Sequence, residues 1–525
     1  MPQTLPATDY FRFCPGEEHI KISNAICRGR RNASYPKCHG CQFNDDERAA
    51  APAVGVNTRT RTATDVESVF SAVDVRGTVP TPLSDDVAWR IGHAAAQYLR
   101  GKLSGSQRAD PNSRAMIVGR DLRTHSAVLQ AALIEGIRSA GMDVINVGPI
   151  DTPQLYFAVN HYGACGGVQT TASHRPAHYN GFIICGPRAI SINVETGLAA
   201  IRDIAARVPK HQTGTTARLT DGDLTKHYRE FVLRFLRGAP ALVRPISVVV
   251  DASNGMIGRV APAVFGKIDN LKIIPLHFDA TGPFAHVPDP TRPSALSDLR
   301  RAVKQHKADF GVCFDGDGDC CAFVDERGQT IGGDLIGALL ARSIIEKEPG
   351  AGIVHDLRCS RIVPEEVDRI GGRAVRERVG RPFIIKSMVE HHAALGVELS
   401  GHYYFRDAFF NDSGLVAFAH VINILVATGR KLGDLVKSIQ RYRASGEVGF
   451  KCPDRDVTFK ELRRVFADAR VDPLDGLTFE YPDWWFNVRA SRSTPVLRLN
   501  LEARTKKQVE EKLAELSPLL GVREK

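Results

Sequence analysis

From residue 115 to residue 379 the chain repeats one pattern: short apolar runs of strand length alternate with amphipathic stretches of helical period. The first round has a strand over 115–118, a helix over 126–140 (SAVLQAALIEGIRSA) capped by Gly141, and a strand over 143–147. The second has strands over 246–250 and 272–278, a helix over 295–307 and a strand over 310–314. The third has helices over 333–347 and 361–370 with strands over 353–356 and 374–379. Strands separated by helices pair through crossovers, so the pattern predicts three stacked α/β units with mainly parallel sheets. Strands over 447–451, 477–481 and 496–501, helices over 456–468 and 505–517, and a polar loop over 489–494 predict a different ending. The expected fold class is α/β, with three similar mixed α/β domains followed by a smaller α+β C-terminal domain.

A chain of 525 residues exceeds what one hydrophobic core serves. The expected division is a cysteine-containing module over 1–43, a polar linker over 44–65, α/β domains over 66–212, 213–330 and 331–445, and the α+β domain over 446–525. With 43% hydrophobic and 24% charged residues, the composition is that of a globular protein. No apolar run reaches the length of a membrane span and the N-terminus carries no signal-peptide pattern, so a cytoplasmic protein without a membrane partner is expected. The net charge of +10, from 69 basic and 59 acidic residues, is modest for this surface, and a nucleic-acid partner is not expected. Cys14, Cys27, Cys38 and Cys41 crowd the first module and are candidate ligands for a structural Zn²⁺. Free thiols or an iron–sulfur cluster are the other readings, because Cys14 and Cys27 are too far apart for the usual ligand pair.

Two segments carry chemistry. Asp315, Asp317 and Asp319 alternate with glycines between strand-like runs over 311–314 and 321–324. Alternate residues of an extended segment point the same way, and glycines let it curl until three carboxylates meet on one hard cation. Oxygen ligands alone favour Mg²⁺. A calcium loop is the competitor, since Glu326 falls at its twelfth position, but Cys320 stands where such a loop needs glycine. Ser173, in Thr170-Thr171-Ala172-Ser173-His174-Arg175-Pro176, follows a strand-like run over 167–171 and sits in an exposed turn. A serine becomes a phosphoryl carrier when a cation neutralises the charge it accumulates, and the aspartate loop offers one.

These segments resemble the α-D-phosphohexomutases, in particular the phosphomannomutase/phosphoglucomutase branch, over roughly 70–518, with an added N-terminal cysteine-containing segment. The T-A-S-H-N-P serine loop followed by Y-N-G is matched over 171–176 and 179–181, with Arg175 in place of asparagine. D-G-D-G-D is intact, and E-x-S-G-H appears as Glu398-Leu399-Ser400-Gly401-His402. Asp74-Val75-Arg76-Gly77, Val118-Gly119-Arg120-Asp121, Asp251-Ala252-Ser253-Asn254-Gly255 and Pro288-Asp289-Pro290 match further motifs in the family's order.

The resemblance implies a phosphohexomutase with its domains around a central cleft, interconverting hexose 1-phosphate and hexose 6-phosphate (mannose and/or glucose). It would work through a phosphoserine and a bisphosphorylated sugar, with hexose 1,6-bisphosphate as activator and a phosphosugar as partner. Ser173, His174 and Arg76 would be catalytic. Asp315, Asp317, Asp319 and Ser173 would hold Mg²⁺. Glu398, Ser400 and His402 would bind the sugar, with Arg358 and Arg381, while Arg489, Ser491, Arg492 and Ser493 would hold the non-reacting phosphate. Departures fall on chemistry: Ile183 and Cys320 stand where the family has lysine and arginine, Arg358 and Arg381 where it has lysine and histidine, and Val73 where it has tyrosine. Arginine stabilises charge but does not serve as a base. The alternative is therefore a weak or inactive relative that binds sugar phosphates in a regulatory role, and His174 or His178 are the candidates for proton transfer otherwise.

Overall fold

Strand runs shielded by helices on both faces pair in parallel at the centre of three sheets, and hairpins close their edges. The computed structural model describes residues 11–13, 21–23, 65–110, 112–209, 217–280, 284–491 and 496–524. The chain divides into two units, Met1–Arg61 and Thr62–Lys525. In the first, strands Phe11–Phe13 and Lys21–Ser23 form an antiparallel pair. The four expected zinc ligands, Cys14, Cys27, Cys38 and Cys41, lie outside the described residues.

The second unit holds four sheets. In the first, Ala115–Arg120 lies between Asp143–Pro149 and Gly166–Thr170, parallel to both, while Tyr179–Cys185 pairs antiparallel with Gly166–Thr170 and Val75–Thr78 antiparallel with Tyr179–Cys185. In the second, Ala241–Asp251 lies parallel to Asp269–Leu276 and Phe310–Phe314, and Cys321–Asp325 turns back antiparallel. The third repeats that order with Gly352–Asp356 between Arg373–Glu377 and Leu395–Val397, then Tyr403–Phe405 antiparallel. The expectation of mainly parallel sheets is corrected to mixed ones, since an apolar run carries no sign of strand direction.

The fourth sheet is antiparallel around Trp484–Ala490, Val496–Ala503 and Arg443–Lys451, with helices Arg455–Val465 and Lys506–Leu520. Arg489, expected in a polar loop, ends the strand Trp484–Ala490 instead.

One buried core runs through the first three sheets, from Leu155 and Phe157 through Phe314 and Phe418 to Leu395 and Val397. Stacked rings of Phe231 and Phe409, 5.5 Å between centroids, belong to this seam. A shared core of this kind holds the three sheets in fixed relation. Among the described residues no single helix is long and apolar enough to cross a membrane. The bent pair Gly414–Thr428 and Leu432–Ile439 passes on composition, but its first helix buries Leu415, Val416, Phe418 and Leu425 in the protein core.

Candidate active site

The serine loop begins where the fully buried strand Gly166–Thr170 ends and returns through Tyr179–Cys185. Ser173 sits at its turn with φ of 47°. That left-handed conformation is costly for a residue with a Cβ and persists only where the surroundings impose it. Thr171 accepts the Ser173 N–H on its Oγ1 at 2.9 Å. Arg123 supplies the rest: its guanidinium donates to the carbonyls of Ser173 (2.7 Å), Arg175 (2.7 Å), Pro176 (2.8 Å) and Tyr179 (3.2 Å). Its Nε lies 3.1 Å from Asp121 Oδ2, and the pair is buried. Sequence reading missed Arg123, although it stands two residues beyond the quoted Val118–Asp121 motif. Arg76, expected to be catalytic, pairs with Asp74 at 2.8 Å and donates to the Thr171 carbonyl, which makes it a second brace for the loop.

The aspartate loop leaves the buried strand Phe310–Phe314 and presses on the serine loop. A Cβ on Gly316 would come 2.8 Å from the Ser173 carbonyl oxygen, so only glycine permits this approach. The Ser173 hydroxyl donates to Asp315 Oδ2 at 2.7 Å. Asp315, Asp317 and Asp319 each bring a carboxylate oxygen within 4.8 Å of the others, and all three are buried. Burial, then mutual repulsion, raises the Asp315 and Asp319 carboxyls well above their usual range. Asp317 accepts the Thr152 hydroxyl on Oδ2 at 2.6 Å, whereas Oδ1 of Asp317 and Oδ1 of Asp319 have no hydrogen-bond partner among the described residues. Buried carboxylate oxygens converging without donors suit a hard divalent cation.

The far side of Asp319 is tied to Arg381, which also meets Asp412. Arg381 Nη2 donates to Asp319 and, at 2.9 Å, to Asp412, whose Oδ2 also receives His402 Nδ1 at 2.7 Å. Burial opposes ionisation of both partners, but their contact raises the His402 imidazole and, with Arg381, lowers the Asp412 carboxyl. Arg381, expected at the substrate, is thus engaged by two carboxylates. Cys320 and His402 form a backbone bridge, and the Cys320 thiol donates to the Ser400 carbonyl at 3.1 Å. Glu398 accepts from the Tyr404 hydroxyl at 2.6 Å and lies 3.4 Å from Arg358. Arg358 is bound by Asp356 through Nη2 at 2.6 Å and Nε at 3.2 Å.

A cavity of about 630 Å³ opens over these loops, lined among others by His174, Cys320, Arg358, Ser400, His402 and Glu447. His174 Nδ1 lies 3.3 Å from Ser173 Oγ. Crowding by surrounding protein, countered in part by Asp289, lowers its pKa, although the side chain is exposed on the cavity wall. His178 is exposed and packs on the Tyr179 ring. Ile183 is a buried strand residue. At the other end Arg489 pairs with Glu447, and Ser491 follows it, bonded through its backbone N–H to the Val496 carbonyl at 2.9 Å. Arg492 and Ser493 lie outside the described residues.

Family models described as phosphoglucomutase/phosphomannomutase, alpha/beta/alpha domains I, II and III match residues 67–212, 226–328 and 332–442. The chain is 35% identical over 445 residues to a phosphomannomutase of Salmonella montevideo, across 83% of this chain and 94% of that protein. Phosphohexose mutases of Xanthomonas campestris pv. campestris are 35% identical over 440 residues, across 83% and 95%. A solved phosphoglucomutase/phosphomannomutase family protein from Burkholderia thailandensis superposes with a TM-score of 0.77 at 29% identity, covering 86% of this chain and 98% of that one. The Aspergillus fumigatus N-acetylphosphoglucosamine mutase, solved with GlcNAc-6P and magnesium, shares the fold at a TM-score of 0.56 and 13% identity, covering 90% and 99%.

Proposed function

The chain belongs to the phosphoglucomutase/phosphomannomutase family and is a hexose phosphate mutase, and from that premise we propose that Ser173 is its phosphoryl carrier. The observation that carries this reading is the 2.7 Å contact between Ser173 Oγ and Asp315 Oδ2. It joins the strained Ser173 to the cluster of converging carboxylates that faces it.

Phosphoserine at 173 would transfer its phosphoryl group to the free hydroxyl of a hexose 1- or 6-phosphate of mannose and/or glucose. The P–Oγ bond breaks, a P–O bond to the sugar forms, and the hydroxyl proton leaves. His174, beside Ser173 with a lowered pKa, is the group suited to take that proton. The bisphosphate then turns and returns its other phosphoryl to Ser173, and free hexose 1,6-bisphosphate can charge the serine in the same way. Asp315, Asp317 and Asp319 with Ser173 Oγ would hold Mg²⁺, which supplies neutralisation of the phosphoryl charge when bound. Arg123 and Arg76 hold the serine loop in its strained turn, so that Oγ is aimed before substrate arrives. Glu398, Ser400 and His402 would contact sugar hydroxyls, and Arg489 with Ser491 the non-reacting phosphate. Turnover is expected to survive the departures at Ile183 and Cys320, because Arg381, at the start of the helix Arg381–Glu390, brings a guanidinium to Asp319.

The test is conversion of mannose 1-phosphate and glucose 1-phosphate to the 6-phosphates with Mg²⁺ and a catalytic amount of hexose 1,6-bisphosphate. Mass spectrometry should find phosphate on Ser173, and Ser173→Ala should lower kcat by on the order of 10⁴-fold or more. Undiminished turnover by that variant would end the proposal.

A further inference from the structure

The cation expected to meet the non-reacting phosphate already has an anion on it. Arg489 Nη2 pairs with Glu447 Oε2, and among the described residues its Nε has no partner. Glu447 also faces Arg358 Nη1 at 3.8 Å and Arg498 Nε at 3.9 Å. Its position is set by the backbone. The strand Arg443–Lys451 breaks register against Val496–Ala503 between Ala444 and Glu447, and Gly446 in that bulge has φ of 69°. A bulge next to a site re-aims a side chain, and here Gly446 and Glu447 both reach the cavity wall.

The four groups are not equally bound. Arg358 has Asp356 on two nitrogens and Glu398 nearby, and Arg498 has Glu524 at 3.2 Å. Arg489 has Glu447 as its ion-pair partner among the described residues. The Glu447 side chain is one-third exposed (33%), whereas that of Arg489 is 11% exposed, so the carboxylate is the partner with room to move.

We propose that Glu447 is a built-in competitor for the substrate's phosphate: a phosphosugar seats on Arg489 only by displacing this carboxylate, which stays near Arg358 and Arg498. The inference rests on the assignment of Arg489 to the phosphate-binding end of the cavity. Its chemical logic lies in the turnaround. A bisphosphate intermediate must release one phosphate from these cations and then offer them the other. A grip that is equally strong in every bound state lowers KM without raising kcat. A carboxylate ready to refill Arg489 makes each phosphate well shallower and each release faster.

Calorimetric titration of glucose 6-phosphate and of inorganic phosphate into the wild type, Glu447→Gln, Glu447→Asp and Arg489→Ala tests this. Glu447→Gln removes the charge, and Glu447→Asp keeps it but withdraws it from reach. Both should bind glucose 6-phosphate about three- to tenfold more tightly than the wild type. Equal or weaker binding by the Glu447 variants overturns the proposal, since a carboxylate that merely positions the guanidinium would cost affinity when removed. Arg489→Ala should bind at least about tenfold more weakly. If it binds as the wild type does, the phosphate-site assignment itself falls, a result separable from failure of the Glu447 variants alone. Thermal melts of each variant confirm folding, and Glu447→Asp carries the test if Glu447→Gln does not fold.

Discussion

The Cα of Gly316 lies so close to the carbonyl of Ser173 that an added methyl would come within 2.8 Å of its oxygen. The spacing between the serine loop and the aspartate loop is therefore set by a hydrogen atom. Gly316→Ala, which alters no reactive group, should push the loops apart and lower kcat by roughly ten- to a hundredfold. Steady-state kinetics at saturating Mg²⁺ checks it, and an unchanged kcat would show that the contact yields without moving Ser173.

Arg123 donates to four carbonyls of the serine loop from a buried position. Arg123→Lys can satisfy only part of this set with one ammonium, so the loop should relax from the strained φ at Ser173. We expect kcat to fall by about 10²-fold with a smaller change in KM, and proteolysis within 171–178 to speed up. Limited digestion followed by mass spectrometry reads the second effect.

Asp315, Asp317 and Asp319 repel one another in a buried setting. Asp317→Asn removes one charge and keeps an acceptor for the Thr152 hydroxyl. Metal-stripped Asp317→Asn protein should be more stable than metal-stripped wild type by about 1 kcal/mol, although it is less active. Mg²⁺ should raise the Tm of the wild type and barely move that of the variant.

Asp251 is buried between two imidazoles, His277 Nδ1 at 3.0 Å and His286 Nε2 at 3.2 Å, with Asp298 3.5 Å from the other face of His277. Burial opposes the Asp251 charge, but the two histidine bonds win and lower its pKa below 3.8. The Asp251 hydrogen bond raises His277 above 6.5, and the same partner overcomes burial to raise His286 above 6.5. Raised histidines stabilise fully below their unfolded pKa and lose that contribution as pH climbs through their folded values. The lowered aspartate stabilises above its unfolded pKa and loses it as pH falls through its folded value. The cluster thus contributes most between about pH 4 and 6.5. The stability gap between wild type and a His277→Gln/His286→Gln variant, measured by urea unfolding, should shrink from pH 6 to pH 9.

Much of this site could be read before any coordinates. The three aspartates stood out by their spacing, and Ser173 through its company with them and the family motif around it; their meeting across the two loops follows from the fold. Arg123, Asp412 and Glu447 were not legible, because their roles depend on partners in distant segments. Arg123 acts on carbonyls fifty and more residues on, and Asp412 matters only because Arg381 and His402 converge on it. A lone arginine or glutamate in a strand or loop carries no sign of such company. The strand Trp484–Ala490 escaped notice for a related reason: its tail, Arg489 and Ala490, reads as the start of a polar loop until the neighbouring strand is seen.

The lining of the cavity takes His174, Cys320 and Ser400 from loops that follow strands of three sheets and Glu447 from a strand of the fourth. No excised portion of the polypeptide can carry a working pocket, however well that portion folds. Exchange of one segment for its counterpart in a relative would transplant a quarter of a wall and leave three quarters cut for another neighbour. Inheritance should therefore treat residues 65–524 as a single indivisible cassette.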